Sequence, residues 1–210
     1  MISRIRIRFS KSGDIRFISH HDLMKLFERA IRRANIPIAM SKGFNPHPKL
    51  SIPLALSVGI SGKDEVLELE LLRSMPPDVF IEQLCLQLPK EISILSGEVI
   101  ADTEKGWIRD VLYEVVFDDP ECLNTAKINE LLQQPSVMVI RSKNGHQKPF
   151  DIRPSIQEIM VKPDRLVVSI KKVENEGMAK PEEVVHSLLG NGKKDGFTIT
   201  RIKVNLSSSE

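Results

Sequence analysis

Three histidines and a set of basic side chains carry most of the chemistry this chain offers. His20 and His21 stand at Ser19-His20-His21-Asp22, the start of a basic amphipathic segment, and His47 lies in Gly43-Phe44-Asn45-Pro46-His47-Pro48. Imidazole titrates near neutrality, so each of the three is a candidate general acid or base at a phosphodiester. No pattern supplies a nucleophile with its activating partner. Adjacent His20 and His21 also lack the i, i+4 spacing that sets two imidazoles on one helix face for zinc, so no metal and no cofactor is expected. The structural alternative packs His20 at the helix start and uses Asp22 as a cap, leaving the helix N–H groups to attract an anion.

The basic set is Arg4, Arg6, Arg8, Arg16, Arg29, Arg32, Arg33, Lys42 and Lys49. Arg4, Arg6 and Arg8 fall on one side of a period-two segment whose other side is Ile5, Ile7 and Phe9. Guanidinium forks suit phosphate and carboxylate oxygens, although a solvated strand face would look the same. Arg29, Arg32 and Arg33 share a helix face by their i, i+3, i+4 spacing. Together these residues are the expected anion-binding set. Gly43, Phe44, Asn45 and His47, between Lys42 and Lys49, form the expected recognition loop, with Phe44 either stacking on a base or partner or serving as a local anchor. Asp151 and Arg153, beside His146 and Lys148, make a second polar cluster, expected as an internal ion pair orienting the second half.

Charge is unevenly placed among the 210 residues. Residues 1–50 hold eleven Lys/Arg against Asp14, Asp22 and Glu28, a net +8, and the remainder carries −6. Attraction for an anion is therefore focused on the N-terminal part. Aromatics are only 5%, which argues against a broad stacking platform for single strands. The two cysteines, Cys85 and Cys122, fit neither a disulfide framework nor a metal spacing, and Cys85 is expected in the core. With no signal-like apolar run and no segment long enough to span a bilayer, the expected location is the cytoplasm, away from membranes.

These residues need elements to hold them. After the first strand and a turn at Ser12-Gly13-Asp14, residues 15–18 read as extended. A helix capped by Ser19 runs from His20 to Ala34, with Leu23, Leu26, Phe27, Ala30, Ile31 and Ala34 as its apolar stripe. Residues 36–40, 50–58 and 65–72 read as strands or extended segments, with the 41–49 loop among them. Pro76-Pro77 opens a helix that Pro89 closes, and 92–100 is a strand. The run 102–106 is a divider. Beyond it come strand 111–117, helix 123–132, strand 137–140, a turn at Asn144-Gly145, strand 165–173, helix 181–189 and strand 197–204. Trp107 and Tyr113 are expected to pack near the divider. Two βαββαβ units give an α+β fold of two ferredoxin-like halves, 1–103 and 104–210, with antiparallel sheets covered by helices. A single mixed α/β domain is the alternative.

The run Arg8-Phe9-Ser10-Lys11-Ser12-Gly13-Asp14-Ile15-Arg16-Phe17-Ile18-Ser19-His20-His21-Asp22-Leu23 resembles the opening of the radical-SAM-linked family of uncharacterised proteins. Arg29 to Ala34, Pro37, Ser41 to Pro48 and Asp151-Ile152-Arg153-Pro154 continue the likeness, which covers most of the chain. That resemblance implies a module found alone or joined to a radical SAM enzyme. This chain lacks a three-cysteine cluster for the iron–sulfur site, so an accessory role follows more readily than independent radical chemistry. The paired ferredoxin-like plan also resembles CRISPR repeat-processing endoribonucleases, whose N-terminal His region and basic surfaces handle RNA. The expected function is a non-catalytic accessory module that binds RNA or another anionic substrate and presents it to a separate radical SAM enzyme. The alternatives are a metal-independent endoribonuclease using His20, His21 or His47, and a protein-binding adaptor.

Overall fold

Alternation of Ile5, Ile7 and Phe9 with Arg4, Arg6 and Arg8 gives β1 (Ser3–Lys11) one apolar face, and that face is buried. The computed structural model describes residues 3–101, 106–119, 125–143, 145–174, 177–190 and 196–207. The expected domain boundary at 103/104, most of the divider, Asn144, Cys122 and the residues just before the third helix lie outside the described residues. The architecture is α+β, with antiparallel strand pairs and four α-helices among the described residues. It forms two compact units. One runs through Ile108 and takes in the chain again from Leu206; the other is Arg109–Asn205.

In the first unit β1 lies between β3 (Ser61–Leu71) and β4 (Ile92–Ile100), antiparallel to both, and β2 (Leu50–Ser51) pairs with β3, giving the order β4-β1-β3-β2. Helices α1 (His20–Arg33) and α2 (Pro77–Cys85) contribute Leu23, Phe27, Ile31, Phe80 and Leu84 to the core over Ile5, Ile7, Phe9 and Leu67. Phe9 and Phe27 meet edge to face at 4.9 Å, the arrangement that ring quadrupoles favour. Ser19 Oγ accepts the Asp22 N–H at 3.1 Å and donates to Asp22 Oδ2 at 2.7 Å, so the expected cap forms. At the other end Asn35 takes φ 52°, with Asn35 N–H on Arg32 O and Ile36 N–H on Ile31 O. This left-handed residue closes α1 in a Schellman arrangement.

Several local expectations change. Residues 15–17 belong to a 3-10 turn, Gly13–Phe17, and are not extended. Lys11 is wholly buried and donates from Nζ to the carbonyls of Arg16 and Ile18, which holds that turn in place. The expected strand at 36–40 is reduced to bridges, Ile38 to Leu71 and Met40 to Pro48, and the one at 50–58 to Leu50–Ser51. Pro37, Pro46, Pro48 and Pro53 remove the ladder donors a longer strand would need. Cys85 ends α2 and is exposed, contrary to its expected place in the core.

The second unit has strand order β10-β5-β9-β8, where β5 is Trp107–Phe117, β8 Ile156–Val161, β9 Arg165–Lys171 and β10 Phe197–Ser207. Helices α3 (Thr125–Gln133) and α4 (Pro181–Leu189) bury Ile128, Leu131, Val184, Val185 and Leu188. Tyr113 is buried, whereas Trp107 is more than half exposed. Two strands escaped the sequence reading. One is β7 (His146–Asp151), paired with β6 (Met138–Lys143) in a separate hairpin, and the other is β8, where a bulge between Ile156 and Glu158 breaks the two-residue period.

Asp151 and Arg153 interlock through the main chain rather than as the expected ion pair. Asp151 Oδ1 accepts N–H groups of Val137 at 2.8 Å and Arg153 at 2.9 Å. The Arg153 guanidinium donates to Leu132 O near the end of α3, at 2.6 and 3.1 Å, and to Ile156 O at 3.0 Å. Burial works against the charged form of Asp151, but these N–H groups, Ser136 and the Arg153 charge together hold its carboxyl below the usual range. A depressed carboxyl contributes stability above its unfolded pKa, near 3.9, and loses it as pH falls through the lower folded value. Asp151→Asn keeps the Oδ1 acceptor for both N–H groups and removes only the charge, so with solvent screening it is expected to cost about 1 kcal/mol or less of unfolding free energy at neutral pH. Denaturant titrations near neutrality and near pH ~3 should show that cost shrinking in acid.

Gly106 gives a second test, because a Cβ there would stand 2.6 Å from Glu68 Oε1 and 2.7 Å from Leu206 Cδ1. Both atoms are side-chain tips, and Glu68 Oε1 is held by Arg6 and by the Gly106 N–H, so Gly106→Ala should lower unfolding free energy by about 1 kcal/mol, the low end for overpacking, read as a lower denaturation midpoint.

Candidate binding site

The arginine face of β1 lies against a row of acids on β3. Arg4 Nη2 is 2.8 Å from Glu70, Arg6 Nη2 2.8 Å from Glu68, and Arg8 Nη1 3.2 Å from Asp64. Arg6 also reaches Glu98 on β4 at 3.3 Å, and Lys49 Nζ reaches the second Glu70 oxygen at 2.6 Å. The Lys49 hydrogen bond, with Arg4 behind it, holds Glu70 below the usual carboxyl range against the opposing effect of burial. Register explains the match, since Arg4 stands opposite Glu70 and Arg6 opposite Glu68. Glu68 also accepts the Gly106 N–H at 3.1 Å, and its side chain is only 5% exposed. The β1 arginines and Lys49 are thus committed to carboxylates.

Apolar residues of β1 point toward α1 and its arginines point away, so the two expected cationic groups occupy opposite sides of this unit. On α1, Lys25, Arg29, Arg32 and Arg33 are all exposed. Lys25, Arg29 and Arg33 line a groove of about 660 Å³ together with Asp22, Leu26 and the 86–89 segment after α2; Arg32 does not line it. Arg33 closes one end, donating to Gln87 O at 2.6 Å and to Gln87 Oε1 at 3.3 Å. Asp22 is held below the usual carboxyl range, first by its hydrogen bond from Ser19 and then by the Lys25 and His21 charges, with desolvation opposing them. Arg16 is half-buried and lies over the Phe17 ring at 4.8 Å, apart from the row on β1.

The 41–49 loop leaves the sheet beside the end of β3. Lys49 N–H bonds Ala39 O at 2.8 Å, Ser41 N–H bonds His47 O at 2.8 Å, and His47 N–H bonds Ser41 Oγ at 2.9 Å, which ties the base of the loop. Gly43 takes φ 134°, a conformation open to glycine. The His47 side chain is exposed at that base, and beyond it Lys42 and Asn45 are exposed and Phe44 is exposed over its whole side chain, at 107%. A loop fastened at its base and carrying a bare aromatic ring can stack on a base or enter an apolar pocket. The local-anchor reading of Phe44 has no support in this exposure.

The three histidines are not gathered at one point. His20 and His21 begin α1, while the loop holding His47 springs from the edge of β3 near Leu69 to Leu71, where α1 has ended. Fourteen helical residues separate those ends by about 21 Å. His21 and His47 are exposed, and His20 is half-buried at the first position of α1. Among the described residues no three His, Cys, Asp or Glu side chains stand close enough to hold a metal ion. No described helix is long and apolar enough to cross a membrane.

The sequence reading missed two features. Residues 86–89 supply the second wall of the α1 groove, with Leu86 77% exposed; nothing in their spacing links them to α1. In the second unit Arg141 forks onto Glu183, with Nε and Nη2 each 2.7 Å from a carboxylate oxygen, and stacks on Phe150 at 3.5 Å. That cluster joins the hairpin to the first turn of α4.

No curated protein matches this sequence. Among solved structures, the chain is similar to an unknown protein from Galdieria sulphuraria at 14% identity, with 99% of each chain covered and a TM-score of 0.31, which is too distant to bear on the site. The profile of a family described as an uncharacterised protein conserved in bacteria (DUF2344) matches residues 4–185, most of the chain, and the protein belongs to that family.

Proposed function

We propose that this protein is a non-catalytic accessory module that holds RNA at its N-terminal unit and presents it to a separate radical SAM enzyme in the cytoplasm. The observation that carries the reading is the tied 41–49 loop, which displays a fully exposed Phe44 beside the exposed cation of Lys42. An aromatic face flanked by cations is what binding of single-stranded nucleic acid requires, and a few such positions suffice without a broad platform. Arg32, exposed in the last turn of α1 and outside the α1 groove, adds a further cation to the N-terminal unit. Strand orders β4-β1-β3-β2 and β10-β5-β9-β8 support reading each unit as ferredoxin-like, with the β6–β7 hairpin inserted in the second. The radical SAM partner rests on the sequence resemblance.

Fluorescence polarisation with a labelled oligouridylate, over a series of salt concentrations, tests the RNA reading. Affinity should fall as salt rises, and Lys42→Glu should flatten the log–log slope by about 0.7 for each phosphate contact removed. Phe44→Ala should cost about 1–3 kcal/mol of binding while leaving the denaturation midpoint unchanged. Equal affinity of both variants and the parent protein would sink the proposal.

A further inference from the structure

We infer that the groove beside α1 is a docking site for an acidic amphipathic helix of a partner protein. The inference rests on the accessory half of the reading above and goes beyond it by assigning a surface to the partner. The floor is apolar. Ile15, Ile18, Leu26 and Leu88 line it, each half-buried against the core of the first unit, and Leu86 projects at its margin with most of its surface in water. The rim is cationic, with Lys25 and Arg29 exposed along one stripe of α1 and Arg33 fixed across the end by Gln87. Asp22 is the one acid among the lining residues, and its carboxylate is already engaged by Ser19 Oγ.

These features select the occupant. From Asp22 to Arg33 the groove follows about 16 Å of α1, three helical turns. Side chains make its floor, so an extended peptide would lay main-chain N–H and C=O groups over apolar surface with no ladder to meet them, whereas a helix satisfies its own. A helix with leucine-like residues on one face would cover the floor, and flanking carboxylates would meet Lys25 and Arg29. No aromatic ring lines the groove, which leaves a nucleic acid base without a stacking partner there. The cationic rim accepts either kind of anion, and the aliphatic floor without a lining ring decides for a protein segment at this site, while the exposed ring stands on the separate 41–49 loop.

The test uses the full chain and a fluorescein-labelled helical peptide with leucines at i, i+3, i+7 and i+10 and glutamates flanking them. A scrambled peptide of the same composition and an oligouridylate serve as comparators. The peptide should bind with amide shift changes confined to residues 15–33 and 86–89. Arg29→Glu and Leu86→Asp should each raise the dissociation constant about tenfold; both positions are exposed, and circular dichroism verifies that each variant is folded. Leu86→Asp should leave oligouridylate affinity unchanged. Equal binding of the scrambled peptide, shift changes elsewhere, unaltered affinity of the folded Leu86→Asp variant, or displacement of the peptide by oligouridylate with the same shift changes would each overturn the inference. Absence of oligouridylate binding with peptide binding intact would instead remove the RNA reading and leave the docking groove standing.

Discussion

Charge matching between β1 and β3 is the constraint on which the rest of the first unit depends. Arg6 and Glu68 have side chains only 14% and 5% exposed, and an ionised group held at that depth needs an opposite charge and hydrogen bonds close by. Register supplies them, because one residue of slip would turn Leu67 and Leu69 out of the core and Glu68 into it. Apolar packing on one face and ion pairing on the other thus enforce the same alignment of strands. A consequence for function is that the guanidinium groups most prominent in the sequence act first as structural cations.

With those cations engaged, the surfaces suited to recognition are the ones where exposed charge adjoins apolar area. The α1 groove and the 41–49 loop both meet that description, in different proportions. In the groove, half-buried aliphatic side chains lie below Lys25 and Arg29. In the loop a single ring stands in water beside Lys42, on a base fixed by Ser41, His47 and Lys49. The two surfaces differ enough in charge and apolar area that each is suited to a different kind of ligand.

Much of this was legible in the sequence where one interaction dominates locally. The period of β1, the Ser19 cap, the apolar stripe of α1 and the proline that opens α4 each follow from neighbouring residues, and each forms as read. Failures came where distant residues decide. Buried Lys11 holds residues 13–17 in a 3-10 turn, and prolines with an intervening loop reduce the expected strands around 36–58 to bridges and two paired residues. For the site, the row of arginines was visible, and so were Glu68 and Glu70 at the same two-residue period; pairing the two rows requires knowing that the strands are neighbours. The wall made by residues 86–89 had no signal at all, since its place depends on how the chain leaves α2.

The interlock in the second unit has a dynamic consequence. One carboxylate and one guanidinium, two residues apart, serve the start of the β6–β7 hairpin, the end of α3 and the turn into β8. None of those segments can loosen alone without stripping partners from the others, so fluctuations there should be concerted rather than piecemeal, with their amide protons exchanging as a single block. The Asp-Ile-Arg-Pro tetrapeptide is in this sense a mechanical rivet, which keeps the second unit from fraying segment by segment.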